Sequence, residues 1–185
     1  MSNILINYSI VKNSTKEHLE KIIDGCYSKE HKIIINFYDF SIKKNVKEIL
    51  KEISSNEYIK ITAIDKDFED VDKFLEITLE NIIQHGDCTA FAAINENCIL
   101  KKDAIDSMDF KKFEEKIYGF TYFDYNVNNI RCYLKSVTGN ISVPIIFFST
   151  RMVIDNLSEG KNTITHVLKN SISHHIPKNL CDIYT

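Results

Sequence analysis

Short apolar runs alternate with amphipathic segments along roughly the first 108 residues of the chain. The apolar runs are rich in β-branched residues and have polar boundaries, which predicts buried strands at Ile4–Ser9, Lys32–Phe37, Tyr58–Ile64 and Thr89–Ile94. Apolar residues at helical spacing between them predict helices ending at Cys26, covering the segment after Ser41, and spanning Val71–His85.

Polar residues set the expected ends of these helices. Ser14-Thr15-Lys16-Glu17 has the capping-box pattern, so the Ser14 hydroxyl and the Glu17 carboxylate are expected to bond the first free amides of the first helix. Ser41 is expected to cap the second helix, and Gly86 to end the third at its C′ position. A further helix is expected before Met108, after the polar tetrapeptide that begins at Asn95.

Strands separated by helices of this length pair in parallel through right-handed crossovers. The fold class is therefore predicted to be α/β, with an open, mostly parallel sheet covered by helices on both faces. Beyond Met108 the pattern changes to strands at Tyr118–Tyr125, Ile130–Ser136 and Val143–Ser149 and short helices at Ser149–Leu157 and Asn162–Asn170. We interpret residues 1–185 as one domain, with residues 109–185 as a smaller, mixed lobe.

Composition narrows the class of protein. The net charge of -3 and the pI of about 6.1 favour neither nucleic acid nor an anionic membrane as a partner. No apolar run approaches the roughly 20 residues of a membrane-spanning helix, and the N-terminus has no export signal pattern. Five cysteines without a CxxC pair indicate a reducing compartment, so a cytoplasmic protein is expected.

The predicted strand ends carry the candidate chemistry. Parallel sheets bind ligands beyond the carboxyl ends of their strands, and those ends hold Tyr8-Ser9, Tyr38-Asp39, Asp65 and Asn95-Glu96-Asn97. The five glycines are too far apart to form either GxGxxG or a P-loop. A bound phosphate must therefore be held by side chains, by a metal or by isolated amides.

Four segments resemble the GT-A glycosyltransferases, in particular the family 2-like inverting enzymes. ILINYSIVKNSTKEHLEKIIDGCY is similar to the opening strand and helix of that family, and NFYDFSIKKNVKEILKEI to its second strand, acidic turn and helix. FLEITLENIIQHGDCTAFAAINENCILKKDAI is similar to its third helix and DxD strand, and HHIPKNLCDIY to a late strand and loop. The resemblance implies a Rossmann-like fold with a nucleotide-binding half (1–108) and an acceptor-side lobe (109–185).

The resemblance also implies roles for particular residues. Tyr8, Tyr38, Asp39 and Ser41 would seat the nucleotide, with the Tyr38 ring available to stack on a base. Asn95 and Asn97 stand where the family has the two aspartates of its DxD motif, with Glu96 between them, so the motif is degenerate. Asparagine can bind a cation only through an uncharged oxygen. A Mn²⁺ or Mg²⁺ ion held by Asn95, Glu96 and Asn97 would therefore lack the usual carboxylate pair.

The family pattern places an acidic base late in the chain, and His166 stands near that point. A histidine with an ordinary pKa near 6.5 suits proton abstraction at neutral pH. His166 is therefore the candidate base, with a solvated helix residue as the alternative. In the same way, Asp39 is either a nucleotide contact or a helix cap, and Asn95-Glu96-Asn97 either face a diphosphate or form an ordinary polar turn.

Three function classes follow. The first is transfer of a sugar from a nucleotide-sugar, expected to be uridine-based, to a glycan or other hydroxyl acceptor, presumed to be inverting. The second is a degenerate relative that binds a nucleotide-sugar or glycan without turnover. The third is an unrelated α/β nucleotide-binding or regulatory module.

Overall fold

The structure, a computed structural model, describes residues 2–53, 59–111, 120–123, 145–158, 173–176 and 181–183. Its strands are β1 (Asn3–Ile10), β2 (Lys32–Asp39), β3 (Ile59–Asp65), β4 (Ala90–Asn95), β5 (Cys98–Leu100), β6 (Phe120–Phe123), β7 (Ile145–Ser149), β8 (Ser173–Ile176) and β9 (Cys181–Ile183). Its α-helices are α1 (Lys16–Gly25), α2 (Val46–Leu50), α3 (Phe74–Asn81) and α4 (Thr150–Ser158), and 3₁₀ turns cover Phe68–Lys73 and Ile82–His85.

One mixed sheet dominates the fold, with strand order β3-β2-β1-β4-β7-β6-β8. β1 pairs in parallel with both β2 and β4, and β2 pairs in parallel with β3. The chain therefore winds outward from β1 in one direction and returns to its other side for β4, as a doubly wound fold does. The predicted α/β class is confirmed, and the antiparallel strand β7 next to β4 begins the mixed part of the sheet.

Side chains that alternate along each strand build two cores, one on each face of the sheet. Ile4, Ile6 and Tyr8 belong to the core on one face, together with Leu19 and Ile22 of α1. The second core lies on the other face and is formed by Leu5, Leu79, Ile82, Cys88, Phe91, Phe148 and Val153. Helices cover both faces because each strand is apolar on both sides.

The predicted cap of α1 is wrong by one residue. Thr15 is the N-cap, and its hydroxyl accepts the His18 N–H at 3.3 Å. The Ser14 hydroxyl is buried and, within the part of the chain that the structure describes, has no hydrogen-bond partner. Since Thr15 occupies the cap, Glu17 is not three residues beyond it and instead pairs with Lys21 at 2.8 Å. Two adjacent hydroxyl residues made the pattern ambiguous.

The predicted second and third helices are shorter than expected. α2 begins at Val46 rather than after Ser41, and Ile42 is 92% exposed in the connecting loop. The interpretation of Val71–His85 as one α-helix is wrong, because α3 lies between two 3₁₀ turns. Gly86 follows the last turn with φ of −62°, so the expected left-handed C′ conformation is absent at this position.

The segment after Asn97 differs from the prediction. Cys98–Leu100 is strand β5, which pairs antiparallel with β9, and residues 102–107 form turns where a helix was expected. β6, β7 and α4 lie where strands and a helix were predicted. The predicted strand at Ile130–Ser136, the helix at Asn162–Asn170 and the candidate base His166 lie outside the described residues. None of the described helices is long and apolar enough to cross a bilayer.

Candidate functional site

Strands β1 to β4 end together at one margin of the sheet, here called the carboxyl edge. Asp39, the last residue of β2, is in register with Asp65, the last residue of β3. Ser9 of β1 is in register with Asn95, the last residue of β4. The carboxyl edge therefore gathers polar residues from four strands at the point where the chain reverses its winding direction, which is where open α/β sheets bind ligands.

Asp39 is fully buried, and its carboxylate serves the loop between β2 and α2. One oxygen accepts the Ser41 N–H at 2.9 Å and the Ser41 hydroxyl at 2.5 Å. The other oxygen accepts the N–H of Val46, the first residue of α2, at 3.1 Å. Of the two interpretations left open, the structure places Asp39 as a helix-start contact, with Ser41 donating to Asp39 rather than capping the helix itself.

Glu96 turns towards the loop after β1. One carboxylate oxygen accepts the Val11 N–H at 3.1 Å, and the other accepts the Lys12 N–H at 3.0 Å. Its side chain is buried, and burial raises the pKa of the Glu96 carboxyl, while these two amides and the Lys12 charge oppose the rise. Both buried carboxylates of the carboxyl edge are thus bound by backbone N–H groups.

In the turn between β4 and β5, two of the three residues predicted to hold a cation bond backbone N–H groups. The Asn95 side-chain oxygen accepts the Asn97 N–H at 3.0 Å, and the Glu96 carboxylate is bonded to two amides. Within the residues that the structure describes, no group of three or more His, Cys, Asp or Glu side chains is placed to hold a metal ion. The metal set of Asn95, Glu96 and Asn97 stays a prediction; as placed, two of its three members bond backbone N–H groups.

Both tyrosines that were expected to seat a nucleotide are buried. Tyr8 is 0% exposed, stacks on Phe37 at 5.8 Å and is hydrogen-bonded through its hydroxyl to Cys26. Tyr38 is 1% exposed, packs edge-on against Phe74 and accepts a hydrogen bond from Asn81. Burial raises the pKa of Tyr38, and the Asn81 bond opposes the rise. Neither ring presents an open face in this structure, so the expected stacking of Tyr38 on a base has no support here, and the nucleotide roles of Tyr8 and Tyr38 stay predictions.

Two further side chains lie at the carboxyl edge, and the sequence reasoning missed both. Lys44 has φ of 49°, and its ammonium donates to the carbonyl oxygens of Asp39, at 2.7 Å, and Lys66. His18 lies in the first turn of α1 and bonds the Glu96 backbone, while burial lowers its pKa. The helix predicted after β1 would have placed His18 here, but no pattern singled out Lys44.

A buried amide pair lies beneath the edge, on the face of the sheet opposite α1. Asn36 donates to the Asn7 side-chain oxygen at 3.2 Å. The Asn7 side-chain nitrogen is buried and, among the described residues, has no hydrogen-bond partner. Because an unpaired buried donor is costly, Asn7 marks a point where a polar group of a ligand or a water molecule would be stabilised. In the sequence, this pair could have been found from the asparagines in the middle of two otherwise apolar strands, β1 and β2.

The fold resembles that of a glycosyltransferase. The mannosyltransferase PcManGT from Pyrobaculum calidifontis, solved in complex with GDP-Man and Mn²⁺, superposes with a TM-score of 0.63 at 9% sequence identity. The likeness covers 96% of this chain and 55% of that one, so the chain spans about half the length of this neighbour. No family model and no curated protein matches the sequence. The structural likeness supports a glycosyltransferase-like fold at low sequence identity.

Proposed function

We propose that this chain is a glycosyltransferase-like protein that binds a nucleotide-sugar at the carboxyl edge and transfers the sugar to a hydroxyl acceptor. The observation that carries the proposal is the position of the polar carboxyl edge, at the winding switch of a fold shared with a nucleotide-sugar enzyme. The fold alone does not define an activity, so the proposal depends on what this edge binds.

Besides the exposed Asp65 at the end of β3, the edge carries lysines and backbone amides that can bind a diphosphate. Lys12 is exposed beside the Glu96 carboxylate, and the Lys44 ammonium lies at the ends of β2 and β3. These lysines would neutralise phosphate charge, while Ser9 and the Asn95 turn lie next to the same loops. His166 is retained as the proposed base for an inverting displacement, and a uridine-based donor as the proposed substrate.

A specific observation favours a second candidate, binding without turnover. Asp39 and Glu96, the buried carboxylates of the carboxyl edge, are both bonded to backbone N–H groups. Neither is placed, as it stands, to orient a donor through a metal or to accept a proton. The same edge would then recognise a nucleotide-sugar as a binding module.

Calorimetric titration with UDP, UDP-glucose, GDP and GDP-mannose, with and without Mn²⁺, separates these candidates when donor hydrolysis is followed in parallel. Saturable binding with slow hydrolysis supports the transferase, and binding without hydrolysis supports the second candidate. If no nucleotide or nucleotide-sugar binds, both are wrong.

Two exposed lysines localise the binding. Lys12→Ala removes a cation from the carboxyl edge and is expected to weaken binding, whereas Lys102→Ala removes one beside the C-terminal end of α1 and is expected to have no effect. Equal effects of the two substitutions would contradict the proposed location.

A further inference from the structure

The loop after β1 holds an anion that belongs to the chain itself. The N–H groups of Val11 and Lys12 are consecutive, and both donate to the carboxylate of Glu96, at 3.1 Å and 3.0 Å, with a second Lys12 contact at 3.2 Å. Glu96 lies more than eighty residues away in sequence and is 4% exposed. Successive backbone N–H groups that converge on one point form an anion-binding concavity, as in phosphate-binding loops.

The turn that carries Glu96 does not need this carboxylate for its own closure. The Glu96 backbone N–H donates to the Ser9 carbonyl at 3.1 Å, and Asn95 accepts the Asn97 N–H. The backbone and Asn95 therefore already define the path of the turn from β4 to β5. The Glu96 side chain is an additional contact, and it satisfies donors of the neighbouring loop rather than of its own.

The electrostatic surroundings of the Glu96 carboxylate are mixed. The Lys12 charge favours its ionised form, the Asp39 charge disfavours it, and burial raises its pKa overall. His18 bonds the Glu96 backbone from α1. An external phosphate would meet the same two amides and the Lys12 ammonium, and phosphate oxygens accept such N–H donors as carboxylates do.

We propose that the amides of Val11 and Lys12 are an oxyanion-binding site, which Glu96 fills as an internal anion and which a phosphate group of the ligand takes over by displacing Glu96. The inference rests on the proposed function for the source of that phosphate, a nucleoside diphosphate. The sequence suggested Glu96 as a metal ligand. In this proposal Glu96 instead occupies the two amides until an anionic ligand displaces it.

The test uses inorganic pyrophosphate as the probe and Glu96→Ala as the variant. Removing the competing carboxylate is expected to tighten pyrophosphate binding by about tenfold or more, which corresponds to about 1.4 kcal/mol or more, since two backbone donors to the anion are freed. In ¹H–¹⁵N spectra, the amide resonances of Val11 and Lys12 should shift during the titration. Unchanged affinity, with both resonances stationary in the folded variant, would overturn the inference.

Asp106→Ala is the matched control. Asp106 accepts the Lys29 N–H at 3.1 Å and the Ser28 hydroxyl, so its removal also frees a backbone donor, but one in the loop before β2 at the opposite edge of the sheet. This variant is expected to gain no pyrophosphate affinity. A gain equal to that of Glu96→Ala would overturn the inference, because any exposed amide would then suffice.

Glu96→Gln provides a second measurement if Glu96→Ala fails to fold. The amide keeps the shape of the side chain and one acceptor oxygen but removes the charge, so pyrophosphate should again bind more tightly and shift the same two resonances.

Failure of this inference is distinguishable from failure of the proposed function. A wild-type chain that binds nucleotide-sugars while neither variant gains pyrophosphate affinity refutes only the inference, and the reverse pattern refutes only the function.

Discussion

Buried carboxylates at the carboxyl edge are bound by backbone N–H groups, and this residue-scale feature separates the site from the one that the sequence suggested. Asp39 joins the end of β2 to the start of α2, and Glu96 joins the end of β4 to the loop after β1. Each carboxylate therefore fixes the path of a loop that borders the proposed ligand site. Their first effect is on stability, and they shape the site by holding its loops.

Replacing Asp39 with Asn is expected to lower the free energy of unfolding by about 1–3 kcal/mol, because the NH₂ group takes the place of one carboxylate oxygen and cannot accept the hydrogen bonds that either Ser41 or Val46 donates there. Asp65→Asn is the control, since Asp65 ends the adjacent strand in register with Asp39 but is exposed. Its expected change is within about 0.5 kcal/mol. Urea unfolding measures both variants, and equal losses would contradict the role of Asp39.

Asp106 gives the fold a pH dependence. Burial raises the pKa of its carboxyl, but hydrogen bonds from Ser28, Lys29 and Glu30 and the His31 charge outweigh burial, so the pKa is lowered overall. A folded-state pKa below the unfolded value stabilises the fold above the unfolded pKa of about 3.9, and this stabilisation is lost as the pH falls through the folded-state pKa.

The free energy of unfolding of Asp106→Asn is therefore expected to lie below that of the wild type at about pH 7, with the difference shrinking towards about pH 3. Urea titrations of both proteins across this range measure the difference. A difference that stays constant with pH would show that the Asp106 charge does not contribute.

At the scale of elements, the close approach of α1 to β5 depends on a glycine. A Cβ atom built on Gly25, the last residue of α1, would overlap the carbonyl oxygen of Leu100 in β5. Backbone cannot yield as a flexible side chain does, so the helix and the strand must move apart to admit a methyl group. This contact also holds β5, and with it the turn that carries Glu96, against α1.

Gly25→Ala is expected to destabilise the protein by about 1–3 kcal/mol. Gly86→Ala is the matched control, because its new Cβ would lie 3.7 Å from the Ile154 side chain and its φ of −62° suits alanine. That variant should be neutral or gain up to about 1 kcal/mol. Thermal and urea unfolding measure both, and a tolerated Gly25→Ala would show that α1 does not contact β5 this closely.

The sequence predicted correctly those strands that a short run of neighbouring residues is enough to indicate. β1 to β4 fall within a residue or two of their predicted positions, since a β-branched run with polar ends is sufficient evidence for a buried strand. β5 was missed because its partner, β9, lies some eighty residues further along the chain. The Glu96 contacts were missed for the same reason, since they depend on the register of Ser9 with Asn95. The cap was predicted at Ser14, one residue before the observed Thr15, because both residues carry a hydroxyl that can bond the first amides of a helix.

At the scale of the whole molecule, the fold favours the carboxyl edge as the ligand site more strongly than the residues at that edge do. The winding switch between β1 and β4 favours a ligand at the carboxyl edge, and the likeness to a mannosyltransferase chain extends to the fold. The buried carboxylates at that edge are bonded to backbone amides, and Lys12, Lys44 and the exposed Asp65 lie at the same edge. The central proposal is therefore one of location: we propose that an anionic, nucleotide-bearing ligand binds where β1, β2 and β4 end.

Hydrogen exchange measured by mass spectrometry, with the chain alone and with saturating nucleotide-sugar, tests that location most directly. Ligand is expected to slow amide exchange in residues 9–13, 39–46 and 95–98, which form the loops of the carboxyl edge, and to leave residues 25–32 at the opposite edge unchanged. Slowed exchange confined to residues 25–32, or no change with any nucleotide-sugar, would contradict the account.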